Sequence, residues 1–351
     1  MKYYLKEEFL HDVNAKNAGN KARNDVESIV KEEGYHPLVL SVDNWYQMST
    51  LAAQRHKAKA FGQALDQLKQ GDELLIQFPM LHHSFFSTHL VKKAQKRGIR
   101  VYLLIHDLEV LRHANMTSLP LKHRIRMYLQ EASFLKAADG IIAHNPVMKS
   151  VLVDKGIAED KIVSLGIFDY LIPDFQEKTT QTKDQPIIVA GNLAQEKAGY
   201  LYKLPAETSY NLYGVGFDEN RALLNETYFG SFLPDELPSV LEGGFGLVWD
   251  GDSADTCSGV FGEYLRFNNS HKASLYLASG FPLVVWKQSA LSHFVLEKNC
   301  GIAVESLHDL KNTIENLSDA DYQEMIANAK NIGKKIRDGF YLTSALKELT
   351  K

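Results

Sequence analysis

The sequence predicts an α/β protein made of two doubly wound domains. Three observations carry this. Short apolar runs alternate with amphipathic helical stretches. The alternation restarts after a polar segment near the middle. The 351 residues give room for two domains of ordinary size.

In the first half the runs are Tyr3–Leu5, Leu38–Val42, Leu74–Phe78, Val101–Ile105, Gly140–Ala143 and Ile162–Ile167. Helical patterns at Asn24–Glu33, Ala52–Lys69 and Thr88–Arg97 separate several of them. Runs this short and this rich in Val, Ile and Leu read as parallel strands covered on both faces. The second half repeats the pattern with Ile187–Ala190, Tyr210–Gly214, Phe245–Trp249, Leu283–Trp286 and Gly301–Val304. Between the halves, Gln176–Gln185 (QEKTTQTKDQ) has no apolar period and reads as a linker. The expected organisation is a domain over 1–173, a linker over 174–185 and a second domain over 186–325. A helical segment over 326–351 then packs back toward the first domain. Two such sheets predict a cleft between the carboxyl ends of their strands, where open α/β sheets bind ligands.

Composition narrows the class. Apolar residues at 45% and charged residues at 23% exclude a disordered chain or a fibre. The 39 basic and 43 acidic residues leave a net charge of −4, without the surplus that nucleic acid demands. Cys257 and Cys300 are too few for a disulfide framework and lack a paired His motif for zinc. No apolar run is long enough to span a membrane, and MKYYLKEEFLHD is not a signal peptide. A cytoplasmic protein is expected.

Candidate site residues lie just after the strands. Val101–Ile105 runs into His106-Asp107, where a carboxylate could accept a proton from an attacking hydroxyl. Asp107 could equally cap the next helix. His144-Asn145-Pro146 reads mainly as a helix start. Asn14–Asn20 (NAKNAGN) reads as a small loop before a helix beginning near Lys21. Gly19 there allows close backbone approach, and Lys21 and Arg23 add positive charge. Gly191-Asn192 followed by Lys197 suits a diphosphate, or a plain turn. Asn268-Asn269-Ser270-His271-Lys272 opens a helix over Ala273–Ala278. Lys272 in its first turn opposes the helix dipole, a penalty that a bound phosphate would reverse. Asp250-Gly251-Asp252 looks like a metal-binding D-x-D, a pattern that acidic turns often produce by chance.

The segment WDGDSADTCSG…FNNSHKASLYL resembles bacterial β-galactofuranosyltransferases of surface-polysaccharide (O-antigen or capsule) assembly. AGNKARND, FPM, IHDLEVLR, HNPVM, IFDYL, AGNL and YGV extend the resemblance along the chain. A looser resemblance links it to streptococcal adhesin glucosyltransferases. The resemblance implies a GT-B fold with two Rossmann-like domains facing each other across the active-site cleft. It implies an inverting, metal-independent transferase with no cofactor and UDP-galactofuranose as donor. The implied acceptor is a glucoside hydroxyl, O6 above all, on a lipid-linked oligosaccharide. Asp107 is then the base and His106 orients it or the sugar. Ala18, Gly19 and Lys21 close over the diphosphate. Gly191, Asn192, Gln195, Lys197, Asn268, Asn269, Ser270, Lys272 and Ser274 hold it. Tyr213, Gly214 and Phe232 flank the uracil, and Asp250 and Asp252 meet the sugar or shape their loop. One departure stands out: related sequences carry Arg where this chain has Gln195. The alternatives are a UDP-glucose-dependent transferase of the same fold and a non-catalytic partner subunit.

Two basic clusters suggest peripheral contact with the inner membrane surface. One is Lys92, Lys93, Lys96, Arg97 and Arg100; the other is Lys122, His123, Arg124 and Arg126. Solvated helix faces account for them equally well. A homo-oligomer is compatible with the sequence.

Overall fold

The structure is a computed structural model that describes residues 1–8, 18–43, 45–113, 130–177 and 181–351. The cluster around Lys122–Arg126 lies outside the described residues. The chain divides into two compact units. The first holds Met1–Asn14, Arg23–Leu165 and Leu342–Lys351; the second holds Ala15–Ala22 and Gly166–Tyr341. The division therefore falls at 165/166 rather than 173/174. The polar stretch read as a linker lies inside the second unit.

The first unit is a six-stranded parallel sheet in the order β2-β1-β3-β4-β5-β6. Its strands are β1 Lys2–Glu8, β2 His36–Ser41, β3 Glu73–Phe78, β4 Arg100–Ile105, β5 Gly140–Ala143 and β6 Ile162–Ser164. β3 is buried along its whole length, as a central parallel strand covered by helices must be. The helix Phe340–Leu349 closes on this sheet. A Cβ on Gly140 would come within 2.7 Å of the Leu349 side chain, so Leu349 packs directly on the start of β5.

The second unit is another six-stranded parallel sheet, ordered β12-β11-β10-β7-β8-β9. Its strands are β7 Ile187–Asn192, β8 Tyr210–Val215, β9 Glu226–Tyr228, β10 Phe245–Val248, β11 Leu283–Trp286 and β12 Gly301–Val304. The strand order reverses between β7 and β10, the position at which such sheets open a crevice. β10 pairs with β7 only at Ile187 and Ile188. Tyr276 packs over β10, so close to Gly246 that a Cβ there would fall 2.1 Å from its ring. The buried Tyr276 hydroxyl accepts the Ala190 N–H at 2.7 Å, taking over a bond the diverging strand no longer makes.

Candidate functional site

In the first unit the carboxyl end of β4 delivers His106 and Asp107. The helix that follows, Glu109–Arg112, takes Leu108 as its N-cap, so Asp107 does not cap it. Instead the half-exposed Asp107 carboxylate pairs with the Arg112 guanidinium at 2.6 Å. Arg112 also bonds Glu109 at 2.7 Å, which fixes its orientation. His106 Nε2 meets the Gln77 side-chain oxygen at 2.7 Å. Gln77 is a buried polar residue in an otherwise apolar strand, a signal visible in ELLIQF. Behind them the His144 ring is buried and meets the Ile105 carbonyl at 3.1 Å. Burial pushes its pKa down to about 4, with Asp107 opposing, so it is neutral at pH 7. Asn145 caps the helix Pro146–Asp154, its side chain accepting the Met148 N–H at 2.9 Å. The capping reading of this motif holds.

In the second unit the loops after β7 and β10 are fastened together. Gly251 N–H donates to the Lys197 carbonyl at 2.8 Å, and Tyr200 N–H to the Gly251 carbonyl at 3.1 Å. The helix His271–Ala278 completes the cluster. A Cβ on Gly191 would lie 3.8 Å from the stem of Lys272. The Lys272 ammonium donates to the Trp249 carbonyl at 2.7 Å and to Asp250 at 2.9 Å. The dipole penalty expected for Lys272 is thus answered by a carboxylate of its own chain. Burial lowers the lysine pKa and Asp250 opposes that shift. The structure therefore gathers Gly191, Lys197, Asp250 and Lys272 at one edge of one sheet.

Other expected residues are placed differently. The D-x-D carboxylates do not converge. Asp250 serves Lys272, while Asp252 accepts the Ser258 hydroxyl, which with burial working against it lowers its pKa. Asn192 folds back to accept the Ala194 N–H at 2.9 Å, the turn reading of that motif. Ser270 is the N-cap of the His271 helix without a side-chain cap bond, and Asn269 donates to the Gly166 carbonyl at 2.6 Å. The buried Asn268 Oδ1 and Ser274 Oγ have no hydrogen-bond partner among the described residues. Ala18 and Gly19 are already helical, in Ala18–Glu32, rather than in a loop. The Lys21 ammonium is committed to the Leu171 carbonyl at 2.7 Å and Asp235 at 2.8 Å, so a phosphate would have to displace them.

The residues expected to flank the uracil are also placed differently. Tyr213 is a core residue whose ring stacks on Phe229 at 4.9 Å and whose hydroxyl accepts the Glu242 N–H at 3.2 Å. The exposed ring is that of Phe229; Phe232 lies tilted 6.3 Å from Tyr213. Gly214 is required, since a Cβ there would stand 1.8 Å from the Gly191 carbonyl oxygen. Gln195 receives a cation through space: Arg221 donates to it at 2.8 Å while lying over the Tyr202 ring at 3.9 Å. Sequence spacing could not have paired residues 26 positions apart.

Comparisons with known proteins agree with this architecture. The glucosyltransferase 3-like N-terminal domain matches residues 2–167 and its C-terminal domain matches 187–349. The β-1,6-galactofuranosyltransferase WbbI of Escherichia coli K12 is 33% identical, covering 97% of each chain. Among solved structures, sucrose-phosphate synthase from Thermosynechococcus elongatus superposes with a TM-score of 0.63 at 14% identity, over 99% of this chain and 96% of its own. Anabaena HepE in complex with UDP and glucose gives 0.54 at 12%, over 99% and 97%. Two parallel six-stranded units along one chain, matched end to end by these proteins, make this chain a GT-B glycosyltransferase of the glucosyltransferase 3-like family.

Proposed function

We propose that the chain transfers galactofuranose from UDP-galactofuranose to a glucoside hydroxyl, O6, of a lipid-linked surface-polysaccharide intermediate. In this reading the acceptor oxygen attacks the anomeric carbon, the bond from that carbon to the phosphate breaks, and UDP departs. One displacement inverts the configuration. Asp107 takes the hydroxyl proton, with Arg112 fixing its carboxylate and Gln77 fixing His106 beside it. Lys197 and Lys272 offset charge on the leaving diphosphate, and Phe229 offers its exposed face to the base. No metal is required by this scheme, and turnover in EDTA is expected to continue.

The observation that carries the base assignment is that Asp107 stands at the end of β4, released from capping and half-exposed. The donor reading rests on the 33% identity with a galactofuranosyltransferase. A UDP-glucose donor is the second reading, favoured by the glucosyltransferase 3-like match. Turnover with UDP-galactofuranose, UDP-galactopyranose and UDP-glucose on octyl glucoside separates them. Asp107→Asn should keep UDP binding and lose about 10²–10⁴-fold in rate; a fully active variant would remove the base from the scheme.

A further inference from the structure

We propose that the first unit carries a face that docks on an anionic lipid bilayer. Tyr46, Met48 and Leu51 are 58%, 37% and 53% exposed, and Leu81, Phe85 and Phe86 are 38%, 44% and 41% exposed. Six of the fourteen exposed large apolar side chains among the described residues thus come from two short segments. The segments adjoin. Phe85 N–H donates to the Gln54 side chain at 2.9 Å, three residues beyond Leu51 on the helix Thr50–Leu65. Isolated exposed apolar residues are ordinary, but a contiguous set marks a contact surface.

Within the two segments the charge has one sign, and the Glu7 carboxylate that reaches them from β1 is only 5% exposed, accepting the Leu81 and His82 N–H groups at 3.0 and 2.7 Å. No Asp or Glu occurs between Asp43 and Asp66, or between Glu73 and Asp107. Arg55 and Lys59 are exposed one and two turns beyond Leu51. Lys92, Lys93 and Lys96 are exposed along the helix Ser87–Lys96, whose N-cap is Phe86. The basic cluster of the sequence is narrowed to these lysines. Arg97 pairs with Asp66 and Arg100 with Glu73, whereas the three lysines have no salt bridge among the described residues. Lys93 lies about 10 Å along the helix axis from Phe86. One surface can therefore meet both the apolar tips and the ammonium groups.

Anionic lipid fits this combination. The lysines meet headgroup charge, while Met48, Leu51 and Leu81 insert among acyl chains. Nucleic acid would satisfy the cations but give those aliphatic tips nothing to stack on. A second copy of the same face would bring like charges together.

The test is sedimentation of the full chain with phosphatidylcholine vesicles, with and without phosphatidylglycerol, at low and high salt. Binding is expected only with phosphatidylglycerol and should weaken in salt. Lys92→Ala/Lys93→Ala/Lys96→Ala should lower the partition coefficient on the order of a hundredfold at low salt. Leu51→Ser/Phe86→Ser should lower it about tenfold or more. All sites are exposed, so thermal unfolding of both variants should match the parent. Absence of binding to anionic vesicles at low salt would overturn the proposal, as would binding that neither variant weakens. RNA binding without vesicle binding would assign the face to nucleic acid instead. Vesicle binding needs neither donor nor acceptor, so its outcome is separate from that of the turnover assay.

Discussion

The pair of Lys272 and Asp250 allows a structural role to be separated from a ligand role. Both groups are largely buried, with side chains 15% and 7% exposed. Lys272→Met leaves the Asp250 carboxylate and the Trp249 carbonyl without their donor. Removing one partner of a buried pair costs about 3–5 kcal/mol; the residual exposure of Lys272 places this case near 3. Asp250→Asn alone strands the lysine at a similar cost. The double variant removes both charges and should cost only about 1 kcal/mol, roughly one lost neutral hydrogen bond. Urea unfolding reads these differences as shifts in midpoint at constant slope. Calorimetric titration with UDP reads the second role. If Lys272 contacts the diphosphate, the double variant is stable yet binds UDP about 10–100-fold more weakly, the worth of one charge-assisted bond. A Lys272→Met variant within about 0.5 kcal/mol of the parent would refute the burial reasoning. Parental UDP affinity in the double variant would refute the phosphate assignment.

Further outcomes follow from packing and titration. Gly214→Ala, at φ +150° and 1.8 Å from the Gly191 carbonyl oxygen, should cost more than about 3 kcal/mol or abolish folding, whereas Gly230→Ala, at φ +83° with open space around it, should cost about 1 kcal/mol; urea midpoints compare them. Tyr276→Phe should cost about 1–3 kcal/mol by stranding the Ala190 N–H, and hydrogen exchange should speed up at that amide. Burial holds His83 and His144 at about 4, below the ordinary 6.5, so the unfolded chain binds more protons and stability is lost as pH falls from 6.5 toward 4. Burial raises Glu131 to about 7, which gives the opposite slope between 4.5 and 7; Glu131→Gln should therefore steepen the acid-side loss measured by unfolding at stepped pH.

Most of the fold was legible because parallel strands are apolar on both faces and announce themselves as short runs. β5, β11 and β12 match the sequence reading residue for residue. β9 was not foreseen: Glu226–Tyr228 is a three-residue edge strand that is only half-buried, so it carries no apolar run. The Ala18–Glu32 helix begins six residues earlier than its apolar period, since Ala18 and Gly19 add nothing to that period. The places of candidate residues at strand ends were legible; their partners were not. Nothing in the sequence ties Lys21 to Asp235, Gln195 to Arg221 or Lys272 to Asp250, because each pair is made by tertiary structure. The dipole argument for Lys272 expected a bound phosphate; in the structure the lysine is paired with Asp250 of its own chain.

That self-supplied anion is part of a larger dependence. Tyr276 and Lys272 stand one turn apart on the same helix. The tyrosine ring packs on Gly246 of β10, and its hydroxyl claims the Ala190 N–H of β7. The next residue, Gly191, then lies over the Lys272 stem, and its carbonyl approaches Gly214 more closely than any side chain would allow. Gly246 makes room for the tyrosine ring, and Gly214 makes room for the Gly191 carbonyl. Two glycines, one tyrosine and one ion pair thus fix the backbone at which the strand order reverses. The geometry of this edge is set by the core, so on the proposed reading substitutions at buried Gly246 or Tyr276 should lower UDP affinity in calorimetric titration as directly as changes at Lys197.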